Sequence, residues 1–196
     1  DSIANVTVVK AATLISSAAV STVYNGGKNL VVTLKDANGN NMSGAKISIN
    51  INGAKFVTTD KNGQAKLTTN GYAPKTYTAK IKFAGDDNYN VSSTTAKVTI
   101  KKATVKLTAK AKTFKRSVKT KKYTVTLKTN RNKVMKNTKV TIKVNKITYT
   151  AKTNSKGVAT FKSTKLTKKG KYAATVKYAG SKYYNTKSVK VKITVK

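Results

Sequence analysis

The sequence predicts an all-β chain of two β-sandwiches in tandem, and three observations predict it. Apolar residues recur with period two in many short segments. Tyr77, Ala79, Ile81 and Phe83, for example, alternate with Thr78, Lys80 and Lys82, which is the pattern of strands with one buried face. The apolar spacing of three and four that a helix needs is not found. The stretch from Tyr77 to Asn90 recurs from Tyr172 to Asn185, 95 residues on, about the length of one small domain. Turn clusters rich in Asn, Asp and Gly separate the segments at roughly 8–15 residues, the spacing of short strands in a sandwich.

The chain opens on Asp1 rather than Met, which suggests a processed protein or a piece of a longer array. Asn5 to Lys10 resembles Lys97 to Lys101 and Lys192 to Lys196, the ends of the two repeats. Residues 1–11 therefore read as the tail strand or linker of a preceding repeat. Ala12-Thr13-Leu14 then matches Ala103-Thr104-Val105, which places one domain at 12–101 and a second at 102–196. The connection Lys101-Lys102-Ala103 has neither Gly nor Pro and reads as a stiff joint.

In the first domain Leu30, Val32 and Leu34 form an inward face, followed by the turn cluster from Asp36 to Asn41. Ile47, Ile49 and Ile51 form the next, and Asn52-Gly53 signals a hairpin returning through Phe56-Val57-Thr58. Asp60-Lys61-Asn62-Gly63 is a further turn, before Ala65 and Leu67. The Tyr77 to Phe83 strand and a last strand near Thr94 to Lys101 complete the domain. The second domain repeats this order: Tyr123, Val125 and Leu127; Val140, Ile142 and Val144; Ala159 and Phe161; and Val189 to Val195. About seven strands each, joined by sequential hairpins and a long final one, predict two immunoglobulin-like antiparallel β-sandwiches.

The turns carry a resemblance. Val32 to Gly39, Ser43 to Ile47, Thr58 to Ala65 and Phe83 to Tyr89 resemble bacterial-type immunoglobulin-like repeats. They are most similar to the arrays of adhesin-like surface proteins of methanogenic archaea and more distantly to invasin and intimin stalk domains. The resemblance covers nearly the whole chain. It implies an extracellular, cell-surface or cell-wall-associated stalk or adhesion module, neighbouring repeats in the same chain, and no catalytic site. The second repeat departs from the pattern at its acids: Asp36, Asp60 and Asp86 fall opposite Thr129, Asn154 and Ser181.

The residue inventory leaves little room for catalysis. Cys, His, Trp and Glu are absent, so no disulfide or thiolate metal site can form. No apolar run of about 18 residues occurs, the length that a spanning helix needs. The carboxylates are Asp1, Asp36, Asp60, Asp86 and Asp87, and three of them open turns. A Ser or Thr nucleophile would lack a histidine base. The chain therefore reads as a non-enzyme without a cofactor. Asp86-Asp87-Asn88 offers a few oxygens for Ca²⁺ but reads as a solvated turn, and its counterpart Ser181-Lys182-Tyr183 offers none. A self-catalysed isopeptide crosslink needs a buried carboxyl group. None exists from Lys101 onward, and the first domain's acids sit in turns, so no crosslink is expected. Asn-X-Ser/Thr sequons begin at Asn5, Asn41 and Asn90.

The charge is the remaining signal. The formal net charge is +36, and 39 of the 41 bases are Lys. Residues 1–100 hold 11 bases and all five acids, whereas residues 101–196 hold 30 bases and no acid. Like charges at this density repel and oppose folding, so the cost points to a use, namely holding an anionic surface such as a cell-wall polymer, a glycan or another cell's surface. The candidate contacts are the outward lysines Lys139, Lys143, Lys177, Lys190 and Lys192. Specific nucleic-acid recognition is not expected. Only Arg116 and Arg131 could read guanine bidentately, and Tyr123, Phe161, Tyr172 and Tyr178 fall on inward faces, away from any stacking platform. A nonspecific nucleic-acid binder and a passive spacer are the alternatives.

Overall fold

The structure is a computed structural model that describes residues 7–196. Every regular element among them is a strand. The chain divides into two compact units, Asp1–Lys101 and Lys102–Lys196, and each is a sandwich of a three-stranded and a five-stranded sheet. The strand expected around Asn5 to Lys10 lies partly outside the described residues, and Thr7 to Lys10 are exposed and form none.

The first unit contains β1 (Thr13–Ser17), β2 (Val20–Val23), β3 (Asn29–Asp36), β4 (Lys46–Asn50), β5 (Ala54–Thr58), β6 (Gln64–Thr68), β7 (Lys75–Phe83) and β8 (Ser92–Lys101). One sheet runs β1-β3-β6 and the other β2-β8-β7-β4-β5. The second unit contains β9 (Lys106–Thr108), β10 (Lys112–Phe114), β11 (Lys121–Lys128), β12 (Lys139–Val144), β13 (Ile147–Lys152), β14 (Val158–Ser163), β15 (Gly170–Tyr178) and β16 (Lys187–Val195). Its sheets, β14-β11-β9 and β10-β16-β15-β12-β13, have the same order.

Each unit therefore has eight strands rather than about seven, and one pairing in each is parallel. The opening segment divides between the sheets. β1 pairs antiparallel with β3, and after Ala18-Ala19 the chain crosses so that β2 runs parallel to β8. β9 and β10 do the same against β11 and β16. Crossing from one sheet to the other lets one stretch pair along an edge of each, which removes backbone groups that would otherwise invite association.

The predicted inward faces are the core. Leu30, Val32, Leu34, Ile47, Ile49 and Ile81 are buried in the first unit, and Val125, Leu127, Val140, Ile142, Val176 and Ile193 in the second. Burying each such side chain contributes about 1.5–3 kcal/mol. The repeated stretch secures one corner of each sandwich. Tyr77 Oη donates to Ala73 O at 2.9 Å and Tyr172 Oη to Lys168 O at 2.7 Å, the tyrosine corner of immunoglobulin-like folds. At the other end of the same strand the chain must turn at Gly85 and Gly180, where φ is +79° and +89°. A Cβ on Gly85 would stand 2.7 Å from Tyr89 O, so the motif needs glycine there. The following Tyr-Asn pair receives the start of each unit. Ala11 N donates to Asn88 O and Asn90 N to Ala11 O, both at 2.8 Å, and Ala103 bridges to Tyr184 in the same way.

Candidate anion-binding face

Alternation along β12, β15 and β16 sends Val140, Ile142, Val176 and Ile193 inward, and the residues between them outward. Lys139, Lys143, Lys177, Lys190 and Lys192 are all exposed and all lie on the outer face of this one five-stranded sheet. Sequence reasoning missed Lys171, which shares the face, and Lys152, directly opposite Lys139. Parity places both, two residues before Ala173 and two after Thr150.

The register spaces these charges. Lys177 stands opposite Thr141 and Ser188, Lys143 opposite Thr148 and Thr175, Lys190 opposite Thr175, and Lys192 opposite Ala173. Across β12, β15 and β16 no lysine faces another directly. Within these three strands the neighbouring lysines are diagonal, at Cα separations of roughly 7–8 Å, or two residues apart on one strand, as Lys190 and Lys192 are. Across to β13, Lys139 faces Lys152 directly. Thr, Ser and Ala thus stand opposite the lysines within these three strands. No acidic side chain exists in this unit to neutralise it. The ion pair found among the described residues, Lys66 with Asp60 at 4.0 Å, belongs to the first unit.

The turns are the same with an acid and without one. Asp36 Oδ1 accepts from Asn38 N and Asn40 N at 2.9 and 2.8 Å. Thr129 Oγ1 accepts from Arg131 N and Lys133 N at 3.3 and 3.1 Å. Asp60 Oδ1 accepts from Asn62 N and Gln64 N, and Asn154 Oδ1 from Lys156 N and Val158 N. Asp86 Oδ1 accepts from Asn88 N and Tyr89 N at 2.9 Å, and Ser181 Oγ from Tyr183 N and Tyr184 N at 3.2 Å. Each neutral oxygen holds the same pair of amides that the carboxylate holds, so the substitution changes the surface charge and keeps the backbone. The carboxyl of Asp36 lies below its ordinary value, chiefly through the Asn40 side-chain amide and then the Asn40 backbone. Asp60 is lowered chiefly by the Gln64 and Asn62 amides.

One end of the lysine face dips into an open recess of about 730 Å³ lined by Met135, Lys139, Thr141, Lys177, Ser181 and Tyr184, among others. Its rim loop is fixed by buried Thr153, whose hydroxyl donates to Met135 O and accepts from Thr138 N at 2.9 Å. In the first unit, Thr59 clamps the corresponding loop through Met42 O and Ala45 N. Two of the differences around this point alter its charge and aromatic character. Ser181 stands where the first unit has Asp86, and Thr150, opposite Thr141, stands where it has Phe56, opposite Ser48. Lys46 Nζ lies 4.5 Å from the centre of the Phe56 ring, whereas its counterpart Lys139 has no ring to settle on.

Among the described residues no group of three acids, His or Cys gathers where a metal ion could be held. Lys121 is buried, 3% exposed, with Nζ donating to Val118 O at 2.8 Å. It belongs to the unit that has no acid, so a crosslink through it would lack the carboxyl catalyst. Of the sequons, Asn5 lies outside the described residues, Asn41 is exposed, and the Asn90 amide donates to Lys10 O at 3.1 Å. Tyr184 is buried, while Tyr183 beside it is half-buried under Lys182 Nζ, 4.8 Å from its ring centre.

No protein-family model matches the chain, and no curated protein matches its sequence. Solved structures resemble it in fold. A multidomain fragment of titin superposes with a TM-score of 0.55 at 10% identity, over 94% of this chain and 66% of that one. Invasin, described as a bacterial integrin-binding protein, gives 0.49 at 18% identity over 94% of this chain and 39% of its own. A bacterial ice-binding adhesin studied for retention on the host cell surface gives 0.40 at 14% identity, over 95% and 66%. The likeness at these identities is one of fold, tandem immunoglobulin-like sandwiches. The chain spans no more than about two-thirds of the length of these three structures.

Proposed function

We propose that the chain is a non-catalytic extracellular stalk and adhesion module whose second unit holds it on an anionic polymer of a cell surface, such as an acidic wall polymer or glycan. The observation that carries this reading is the outer face of the β10-β16-β15-β12-β13 sheet, with its spaced, exposed lysines and no acid in the unit. Lysine is a hydrated point charge on a flexible stem, suited to diffuse attraction rather than shape-specific pairing. Many such contacts, each weak, add up against a polymer that carries many anions. The extracellular setting follows the resemblance of the turn motifs to adhesin repeats.

Retention on beads coated with an acidic polysaccharide tests the proposal. The chain should be held at low salt and released as salt rises, because screening and counterion uptake weaken every contact. Replacing Lys139, Lys143, Lys177, Lys190 and Lys192 together with Gln should move release to markedly lower salt. Retention indifferent to salt, or unchanged in that variant, would overturn the reading. Stronger competition by DNA than by the polysaccharide of equal charge would favour nucleic acid as the partner instead.

A further inference from the structure

We infer that the recess between the 135–139 segment and the 177–184 segment of the second unit is a binding site for an acidic sugar residue. This inference rests on the anionic-polymer reading and gives it a specific point of attachment. Three features of the recess converge. Its volume, about 730 Å³, is within the range of pockets that hold small ligands, roughly 300–1,000 Å³. Its lining combines carbon surface from Met135, Tyr178 and Ala179 with hydroxyls from Thr141 and Ser181. Lys139 and Lys177 supply two ammonium groups with no acidic side chain anywhere in the unit to compete for them.

A pyranose ring matches that lining: it has an apolar C–H face and a rim of hydroxyls. A carboxylate or sulfate on the ring supplies the partner for the two lysines. A bare phosphate or sulfate ion fits less well. The nearest turn amides, Tyr183 N and Tyr184 N, are already bonded to Ser181 Oγ, so no cluster of free backbone N–H groups is left to cradle a small anion.

The first unit shows what the site requires, because it has the same framework without the chemistry. Lys46, Ser48 and Lys82 occupy the places of Lys139, Thr141 and Lys177 in the register. Asp86 there stands in place of Ser181, and Lys46 is drawn over Phe56. A carboxylate at the rim repels an acidic ligand. Exchanging Asp for Ser and Phe for Thr removes both obstacles while leaving the turn intact.

The test uses the whole chain and a hexasaccharide of alternating glucuronic acid and N-acetylglucosamine, with its carboxyl-reduced form as the neutral probe. Ser181→Asp restores the first unit's acid, and because Asp86 already makes the same two amide bonds, the turn should survive. A Lys122→Gln/Lys162→Gln variant removes two charges from the other sheet, outside the recess. At near-physiological salt the inference expects Ser181→Asp to weaken hexasaccharide binding about tenfold or more, and the double variant to weaken it less than about twofold. The carboxyl-reduced sugar should bind far more weakly than the acid. Losses in proportion to charge removed, or equal binding of the reduced sugar, would overturn the recess while leaving diffuse attraction in place. Failure of the unaltered chain to bind any polyanion would overturn the broader reading along with it.

Discussion

At the scale of single residues, the same turn is closed by a carboxylate in one unit and by a neutral oxygen in the other. This difference has a thermodynamic signature. Asp36 and Asp60 have folded-state values below the ordinary 3.8, because backbone and side-chain amides stabilise the ionised form. A lowered value means stability that is fully present above the unfolded value and is lost as pH falls through the folded one. The first unit should therefore lose stability on acidification below about pH 4. Thr129, Asn154 and Ser181 do not titrate, so the second unit should show no such loss. Calorimetry of the two-unit chain at neutral pH and near pH 2.5 checks this: the first unit's transition should move down and the second's should stay. Asp36→Asn and Asp60→Asn should reduce the movement, and equal movement of both transitions would contradict the assignment.

At the scale of strands, what the sequence reveals depends on how local the determinant is. Tyr77 to Phe83 could be read directly, because every second residue faces the core and one parity count settles it. Parity also places Lys139, Lys143, Lys177, Lys190 and Lys192 on one face. It places Lys121 inside too, two residues before Tyr123, where charge alone argues for the surface. β1, β2, β9 and β10 were hidden because each is short and at an edge. Ile15 is buried but Leu14 beside it is 64% exposed, so no alternation announces a strand. Their positions are set by pairing with β3, β8, β11 and β16, of which β8 and β16 are remote in the sequence. The recess was equally hidden, since its two walls lie about 40 residues apart and meet only through the β12–β15 register.

Register also identifies where the lysines are poorly placed. On the three-stranded sheet Lys122 directly faces Lys162, both exposed, as Lys139 faces Lys152 on the other sheet. Like charges directly opposite are destabilising, and an opposite pair contributes roughly 0.2–1 kcal/mol. Lys162→Glu should therefore stabilise the chain by about 0.5–1 kcal/mol, read as a shift in the urea midpoint of the second unit. Lys162→Ala should gain less, since it removes the repulsion without adding attraction. A destabilised Lys162→Glu variant would show that the measured stability is not governed by this pair.

At the scale of the molecule, the two units are one architecture at very different densities of positive charge. Asp1–Lys101 contains twelve bases and five acids, whereas Lys102–Lys196 contains 29 bases and no acid. Diagonal lysine neighbours at roughly 7–8 Å lie well within the Debye length of about 30 Å at 0.01 M salt and beyond the 3 Å of 1 M. Self-repulsion in the second unit is therefore strong in dilute buffer and nearly absent in concentrated salt. Raising NaCl across that range should raise the melting temperature of the second unit by several degrees, the shift that about 1 kcal/mol produces in a domain of this size. The first unit should move much less. A change in apolar burial strength would move both units alike, so a parallel shift would refute the electrostatic account. An acidic polysaccharide should reproduce the effect at far lower concentration, because a ligand that binds the folded unit stabilises it by linkage. Stabilisation of the second unit alone by such a polymer, reversed by added salt, would tie its unbalanced charge directly to polymer binding.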